Sequence, residues 1–390
     1  MILLFIHQAE KIKIDEAGNR YTDGSYNESV WDTYQSVADE ITFIARCENN
    51  KYSVKEAKER FNLIPKNIDI VLLPDSNSSV KSYFDKQIQI ETDKIFYNEI
   101  KKADAVIFRY AGRTSAIAYA KRLGKPYIVE VVGCTFDSLW NHSWKGKVLA
   151  IPEFFKMRKA IKNADNVLYV TQKFLQQRYP TNGKCIGCSD VRLENANEKD
   201  FADRLTEIDD HRGKLIIGTA SGIGVKYKGQ QYIIRAIANL KKRGIDCFEY
   251  QIAGHGDRSY LESVIKKCGA ENEVKFVGSI PHEKIFDWYR SIDIYAQPSN
   301  VEGLPRALAE AMSCAVPCIG SRVGGIPELL PDEAIFEKKN MKQIEQILEN
   351  LLSKDFRKQV AKKCFKRSLD YRAEILEKKR VDFMKEVFRI

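Results

Sequence analysis

The sequence predicts an α/β protein built from two doubly wound, Rossmann-like domains facing a cleft. Three observations carry that prediction. Short apolar runs alternate with helical patterns along the chain, one mostly polar stretch at Glu194–Lys214 interrupts them, and the alternation restarts at Leu215. Runs that are apolar on both faces belong in parallel sheets with helices on each side. A length of 390 residues suits two domains of about one to two hundred residues each. The expected boundary between them falls between residues 193 and 194.

In the first half, Ile2–Ile6, Ile41–Arg46, Ile68–Leu73, Ala105–Arg109, Tyr127–Val132 and Asn166–Val170 read as strands. Ser29–Asp39, Thr92–Lys101, Thr114–Leu123 and Pro152–Lys162 read as the helices between them. In the second half the strands fall near Leu215–Gly218, Phe248–Ala253, Val274–Val277, Ile292–Ala296, Val316–Gly320 and Ala334–Phe336. Helix Gln230–Arg243 is closed by Gly244, and everything from about Lys354 to Ile390 reads as helix. Two such sheets facing each other place a ligand at the carboxyl ends of their strands.

Composition narrows the class. With 44% hydrophobic and 30% charged residues the chain folds and is neither disordered nor fibrous. No apolar run approaches the roughly 18 residues of a membrane span. Met1–Ile6 is short, lacks a basic flank and leads into charge, so it reads as a buried first strand and not a signal peptide. A cytoplasmic protein with reduced thiols is expected, although it has nine cysteines. Residues 101–200 carry 18 basic and 9 acidic side chains, and residues 351–390 carry 13 and 6. Such basic sectors point to an anionic partner.

The densest chemical signal runs from Pro298 to Met312. A strand ends, Gly303 turns the chain, and Pro305 opens a helix where its missing N–H costs nothing. Free N–H groups at Gly303 and Leu304 then suit a diphosphate. Glu302 and Glu310, beside Ser299, can accept hydrogen bonds from hydroxyls on either side of it. A second signal, Gly218–Gly229, is a glycine-rich turn with Lys226 and Lys228, without the order of a Walker loop. A third is Gly254-His255-Gly256, and a fourth is Gly324-Gly325-Ile326-Pro327-Glu328.

Together and in this order, these four segments resemble the family-4 retaining glycosyltransferases of the GT-B fold, also called glycosyl transferases group 1. The spacing of Glu302 and Glu310 matches that family's signature, and the run to Glu328 matches its continuation. The resemblance is specific over Gly218–Glu328 and architectural over the first half. It implies that Glu302 contacts donor-sugar hydroxyls, Glu310 the ribose, Lys228 the diphosphate, and the segment around Gly278–Ile280 the base. It also implies a C-terminal helix, about 372–390, crossing back to the first domain, so that the expected domains are 1–193 with that helix and 194–371. The family's arginine after the first strand of the second domain is replaced by Thr219-Ala220-Ser221. Its histidine after the strand ending at Val132-Gly133 is absent, and His142 lies about ten residues late. Gly133, Arg109 and His142 are the acceptor-side candidates.

The expected activity is transfer of a hexose-type sugar from a nucleotide-diphosphate sugar, UDP favoured over GDP, to a hydroxyl of a glycan or lipid-linked acceptor. Retention, no protein nucleophile, no cofactor and no metal requirement are expected, in surface polysaccharide synthesis. The alternatives are a nucleotide-sugar epimerase on the same scaffold and an inactive partner subunit. Cys185-x2-Cys188 lacks a matching second pair for a metal, and Cys314 and Cys318 read as core. Trp140–Lys162 interleaves aromatics with cations, which suits the anionic inner face of a membrane or a core helix with a solvated basic face. No nucleic-acid-binding module is recognisable.

Overall fold

A computed structural model describes the chain apart from residues 24–25, 76–81, 83, 110–113, 143 and 195; of residues 49, 142 and 282 only the backbone is described. The first sheet contains β1 (Ile2–Asp15), β2 (Arg20–Thr22), β3 (Glu40–Tyr52), β4 (Asn62–Leu63), β5 (Ile68–Leu73), β6 (Ala105–Arg109), β7 (Tyr127–Val131), β8 (Asn166–Tyr169) and β9 (Lys184–Gly187). Its parallel body runs β5-β3-β1-β6-β7-β8-β9. The second sheet contains β10 (Leu215–Ala220), β11 (Phe248–Ala253), β12 (Val274–Gly278), β13 (Ile294–Gln297), β14 (Cys318–Ser321) and β15 (Ile335–Phe336), all parallel in the order β12-β11-β10-β13-β14-β15. Strand order reverses at β1/β6 and at β10/β13, the two switch points where such sheets leave a crevice.

Packing explains the apolar runs. Along β1, Leu3 and Phe5 pack to one side with Phe43 and Ile107, while Leu4 and Ile6 pack to the other with Ile44 and Val106. Both faces are covered, so alternation with polar residues is absent where the sheet is deepest.

Four expectations need correction. The first strand does not stop at Ile6 but continues to Asp15, and β3 continues with it to Tyr52. Beyond the core the pattern Ile12-Lys13-Ile14 alternates, and Asp15 closes a turn by accepting from the N–H groups of Ala17 and Asn19 at 2.9 and 2.8 Å. The short strands β2 and β4 add to this extension. The polar stretch Glu194–Lys214 is not a bare linker, because Glu198–Asp210 forms a helix capped by Asn197 and pressed on helix Lys354–Ser368. Its Arg204 is buried and donates to the carbonyls of Ile292 and Arg290 at 3.1 and 2.8 Å, and Asp209 pairs with Lys358.

The basic aromatic segment begins its helix at Trp144, not Pro152, and a further helix, Thr135–His142, precedes it. Pro152 and Val148 both face solvent, so the carbonyl that loses its N–H partner there can meet water. The tail is not one uninterrupted helix. A tight turn at Leu369–Tyr371 separates Lys354–Ser368 from Ala373–Phe388. There Arg372 bridges to Leu193, with Leu193 donating to the Tyr371 carbonyl at 3.3 Å and Ala373 to the Leu193 carbonyl at 3.1 Å. The two passages between the sheets thus lie side by side, and the last helix returns to pack near β7.

Candidate active site

β13 ends at Gln297, and the chain turns through Pro298–Leu304 before helix Arg306–Ser313, whose cap is Pro305. Glu302 points inward and is only 10% exposed. Its Oε1 receives hydrogen bonds from Lys228 Nζ at 2.7 Å, Ser299 Oγ at 2.7 Å and Gln297 Nε2 at 3.0 Å. Tyr295 OH fixes Gln297 in turn, at 2.9 Å. One carboxylate oxygen therefore gathers three donors, Lys228 from the turn after β10 and Gln297 and Ser299 from the end of β13 and the turn after it, with Lys228 74 residues from Glu302 in the chain.

Backbone fit holds those loops together. Gly229 has φ 82°, and a Cβ there would lie 1.9 Å from the Pro298 carbonyl oxygen, so only glycine permits the approach. Asn300 N–H donates to the Tyr227 carbonyl at 2.7 Å beside it. Lys226 stands apart: it is exposed, and its Nζ lies 4.5 Å from the Tyr260 ring centroid. Glu310, on the following helix, accepts from Tyr289 OH at 3.0 Å.

The other glycine turns stack beside this cluster. Gly254 backs on the Ser221 carbonyl and donates to the Gly278 carbonyl at 2.8 Å, while Gly256 abuts the Gly224 N–H. Ile223 N–H donates to the His255 carbonyl at 2.9 Å, and Ile280 packs half-buried on the core. The carboxyl ends of β10, β11 and β12 thus form one continuous wall.

Gly303 carries the site across the cleft. A Cβ there would approach the Val132 carbonyl oxygen to 2.8 Å and the Gly133 Cα to 3.9 Å. Leu304 lies against Gly325, next to Thr171. Glu328 reaches the first domain and accepts from the N–H groups of Gln172, Lys173 and Phe174 at 2.5, 3.0 and 2.8 Å. The turn 300–304 lines two cavities. One of 970 Å³ includes Glu302, Gln172 and Glu328, and one of 240 Å³ includes Leu304, Arg306, Val132 and Arg109.

Arg109 belongs to a buried charge network. It pairs with Glu130 at 3.1 Å and with Asp190, while Arg380 from the last helix pairs with the same two carboxylates at 2.6 and 2.7 Å. Tyr34 OH donates to Glu130 at 3.0 Å. Burial pushes the Asp190 carboxyl upward, but the guanidinium groups of Arg109 and Arg380 override it and hold that carboxyl below its ordinary range. His7, within β1, bonds Tyr26 OH through Nδ1 at 2.7 Å; burial and then Arg109 lower its pKa to about 3 and hold it neutral.

Of the residues the sequence singles out, Glu302, Lys228 and Ser299 share one cluster, and Gly254, Gly256 and Gly278 share the wall. Gly303 meets Gly133 across the cleft. His142 ends helix Thr135–His142, and its side chain lies outside the described residues. Gln297, Glu130, Asp190 and Arg380 escaped sequence reasoning. Glu130 alone left a signal, a carboxylate inside the apolar run of β7. Cys188 is buried, with its thiol directed at the Leu376 carbonyl, and Cys185 is exposed.

Two parallel α/β sheets facing a cleft, with an inward carboxylate and lysine at the head of a helix, define a GT-B glycosyltransferase architecture. Solved structures agree in fold. Sucrose-phosphate synthase from Thermosynechococcus elongatus superposes with a TM-score of 0.68 at 15% identity, covering 100% of this chain and 99% of its own. Anabaena HepE in complex with UDP-glucose gives 0.65 at 15% identity, covering 99% and 100%. The family model described as "Glycosyl transferases group 1" matches residues 205–367. "Protein CapJ" of Staphylococcus aureus is 31% identical over 371 residues, 92% of this chain and 88% of CapJ. The chain belongs to the group 1 glycosyltransferases and is an enzyme of that class.

Proposed function

We propose that the protein transfers a hexose-type sugar from a nucleotide-diphosphate sugar, UDP before GDP, to a hydroxyl of a glycan or lipid-linked acceptor, with retention at the anomeric carbon. The observation that carries this reading is the Glu302 cluster, in which Lys228 and Ser299 converge on one carboxylate oxygen at the head of helix Arg306–Ser313. HepE, whose complex holds UDP-glucose, supports the preference for a UDP donor. We place this activity in surface polysaccharide synthesis on the cytoplasmic side; WaaG, a glycosyltransferase of the same fold involved in lipopolysaccharide biosynthesis, supports the first part of that placement.

In the reaction, the bond from the anomeric carbon to the diphosphate breaks and the acceptor hydroxyl oxygen bonds that carbon. The acceptor proton departs with the diphosphate. Negative charge grows on the leaving group, so a lysine and helix-terminus N–H groups serve better than a nucleophile. Lys228 and the N–H groups of Gly303 and Leu304 meet the diphosphate, with Lys226 at its edge. Glu302 takes sugar hydroxyls, Glu310 the ribose, and the Gly254, Gly256 and Gly278–Ile280 wall the nucleoside. Ser299 holds Glu302 in place. Gly133, Arg109 and His142 stand on the acceptor side. The acceptor-binding unit spans 1–193 with 372–390, and the donor-binding unit 194–371.

A thermal-shift panel of UDP- and GDP-sugars tests this, because a bound donor raises the melting temperature by mass action. The expected result is stabilisation by a UDP-sugar, then sugar transfer and UDP release when a hydroxyl acceptor is added. Epimerised nucleotide sugar from donor alone, with no transfer, would replace this reading with an epimerase. Donor binding without turnover across a broad acceptor set would replace it with an inactive subunit.

A further inference from the structure

Helix Trp144–Lys162 carries an uncovered apolar face. Trp144, Val148, Ile151 and Phe155 are 72, 67, 51 and 63% exposed. Their spacing of four, three and four residues keeps them within a roughly 60° arc of the helix. Trp140, at the end of the preceding helix, extends the patch at 40% exposed. Isolated exposed apolar side chains need no explanation, but a contiguous stripe of five marks an interaction surface.

The charges around the stripe say what covers it. Lys145, Lys147, Lys156, Lys159 and Lys162 are all exposed on this helix. By the same helical rotation Lys147 borders one edge of the stripe, Lys159 the other, and Lys162 its end. Lys145 and Lys147 lie 5.7 and 5.8 Å from the rings of Trp144 and Trp140. Glu153 is the only carboxylate of the helix; it is half-buried away from the stripe and paired with Lys156 at 3.3 Å. The opposite face, Gly146, Ala150, Met157 and Ile161, is buried against the domain. Phe136 stacks on Trp140 at 5.2 Å and Phe154 packs on Tyr179 at 5.4 Å, so the platform is fixed from below.

We infer that this face docks the enzyme on an anionic lipid bilayer, with the tryptophans, Val148, Ile151 and Phe155 among the acyl boundary and the lysines on the headgroups. An apolar stripe rimmed by lysine fits a surface that is apolar inside and negative at its rim. Among the described residues no helix is long and apolar enough to cross a membrane, so the helix lies on the bilayer plane. This inference is independent of the donor-site reading, and either can fail alone.

The full chain provides its own probe. Of its four tryptophans, Trp31 and Trp288 are 0 and 9% exposed, so a spectral change on binding reports Trp140 and Trp144. With phosphatidylglycerol vesicles at low salt we expect sedimentation and a blue shift of emission. Both should be much weaker with phosphatidylcholine, and both should fade as salt shortens the Debye length. Lys147→Gln with Lys159→Gln should lower the partition coefficient at least roughly tenfold. Trp144→Ser with Phe155→Ser should abolish binding while leaving the melting temperature and UDP affinity unchanged. Sedimentation of the wild type equally on neutral vesicles, or of the serine variant like the wild type, would overturn the inference. So would a wild-type dimer that ignores vesicles and becomes monomeric in the serine variant, since the face would then cover a second copy of the chain.

Discussion

The two halves of the cleft are built in opposite ways. On the proposed donor side, Ser299, Glu302, Gly303, Leu304 and Glu310 lie within one strand–turn–helix unit, and Lys228 comes from a neighbouring unit of the same sheet. On the proposed acceptor side, the charges come from Arg109, Glu130, Asp190 and Arg380, on four segments spread from β6 to the last helix. A local site writes a motif into the sequence; a distributed one writes almost nothing. The same contrast separates what each half should lose on mutation, kinetics on the donor side and stability on the acceptor side.

The largest effect should come from Glu130→Gln. Glu130 is fully buried and serves both Arg109 and Arg380, so removing its charge leaves two guanidinium groups short of a partner. We expect a loss of about 3 kcal/mol or more, read from the urea midpoint. A loss below about 1 kcal/mol would mean that the network is decoration.

His7 sharpens the contrast through pH. Its imidazole is held neutral when folded, so the unfolded chain takes up the proton first and stability falls as pH drops below the ordinary value of about 6.5. Between pH 7 and 5 the loss attributable to His7 is about 2 kcal/mol, and it continues until the folded value near 3 is reached. His7→Gln should flatten that slope, as followed by thermal melts across pH. An unchanged slope would place the acid sensitivity elsewhere. Asp190 adds a smaller, separate loss below about pH 4, where its unfolded carboxyl protonates before the paired one.

On the donor side, Glu302→Ala and Glu310→Ala should each lower kcat/KM at least roughly tenfold, about 1.4 kcal/mol, with melting temperature nearly intact. Turnover near wild type in both would move the site. The smallest effect belongs to Lys226→Ala. Its ammonium lies on the Tyr260 ring while that of Lys228 reaches Glu302, so it should cost less than Lys228→Ala. The reverse order would shift the loop assignment by two residues.

The same contrast explains what the sequence disclosed. Parallel strands buried on both faces are legible because Leu3–Ile6 and Val106–Phe108 leave no polar face. The continuation of β1 past His7 was not, since Gln8–Lys11 is polar and its pairing with β3 resumes only after a register shift. The helix Glu198–Asp210 hid because its charged face masks the few residues it buries, Arg204 and Ile208 among them. Lys228 and Glu302 were legible from a glycine turn and a helix start. Glu328 was visible as the end of a motif, but its grip on Gln172–Phe174, about 155 residues away, depends on how the two sheets meet.

Calorimetric titration with UDP is the most direct test that the Lys228–Glu302 cluster, and not the arginine-rich acceptor side, holds the donor. The comparison needs the wild type, Lys228→Ala and Arg192→Gln, whose guanidinium pairs with Glu377 on the rim of the smaller cavity. The account predicts a Kd raised at least roughly tenfold, about 1.4 kcal/mol, in Lys228→Ala and unchanged in Arg192→Gln. UDP binding that survives Lys228→Ala and is lost in Arg192→Gln would contradict it.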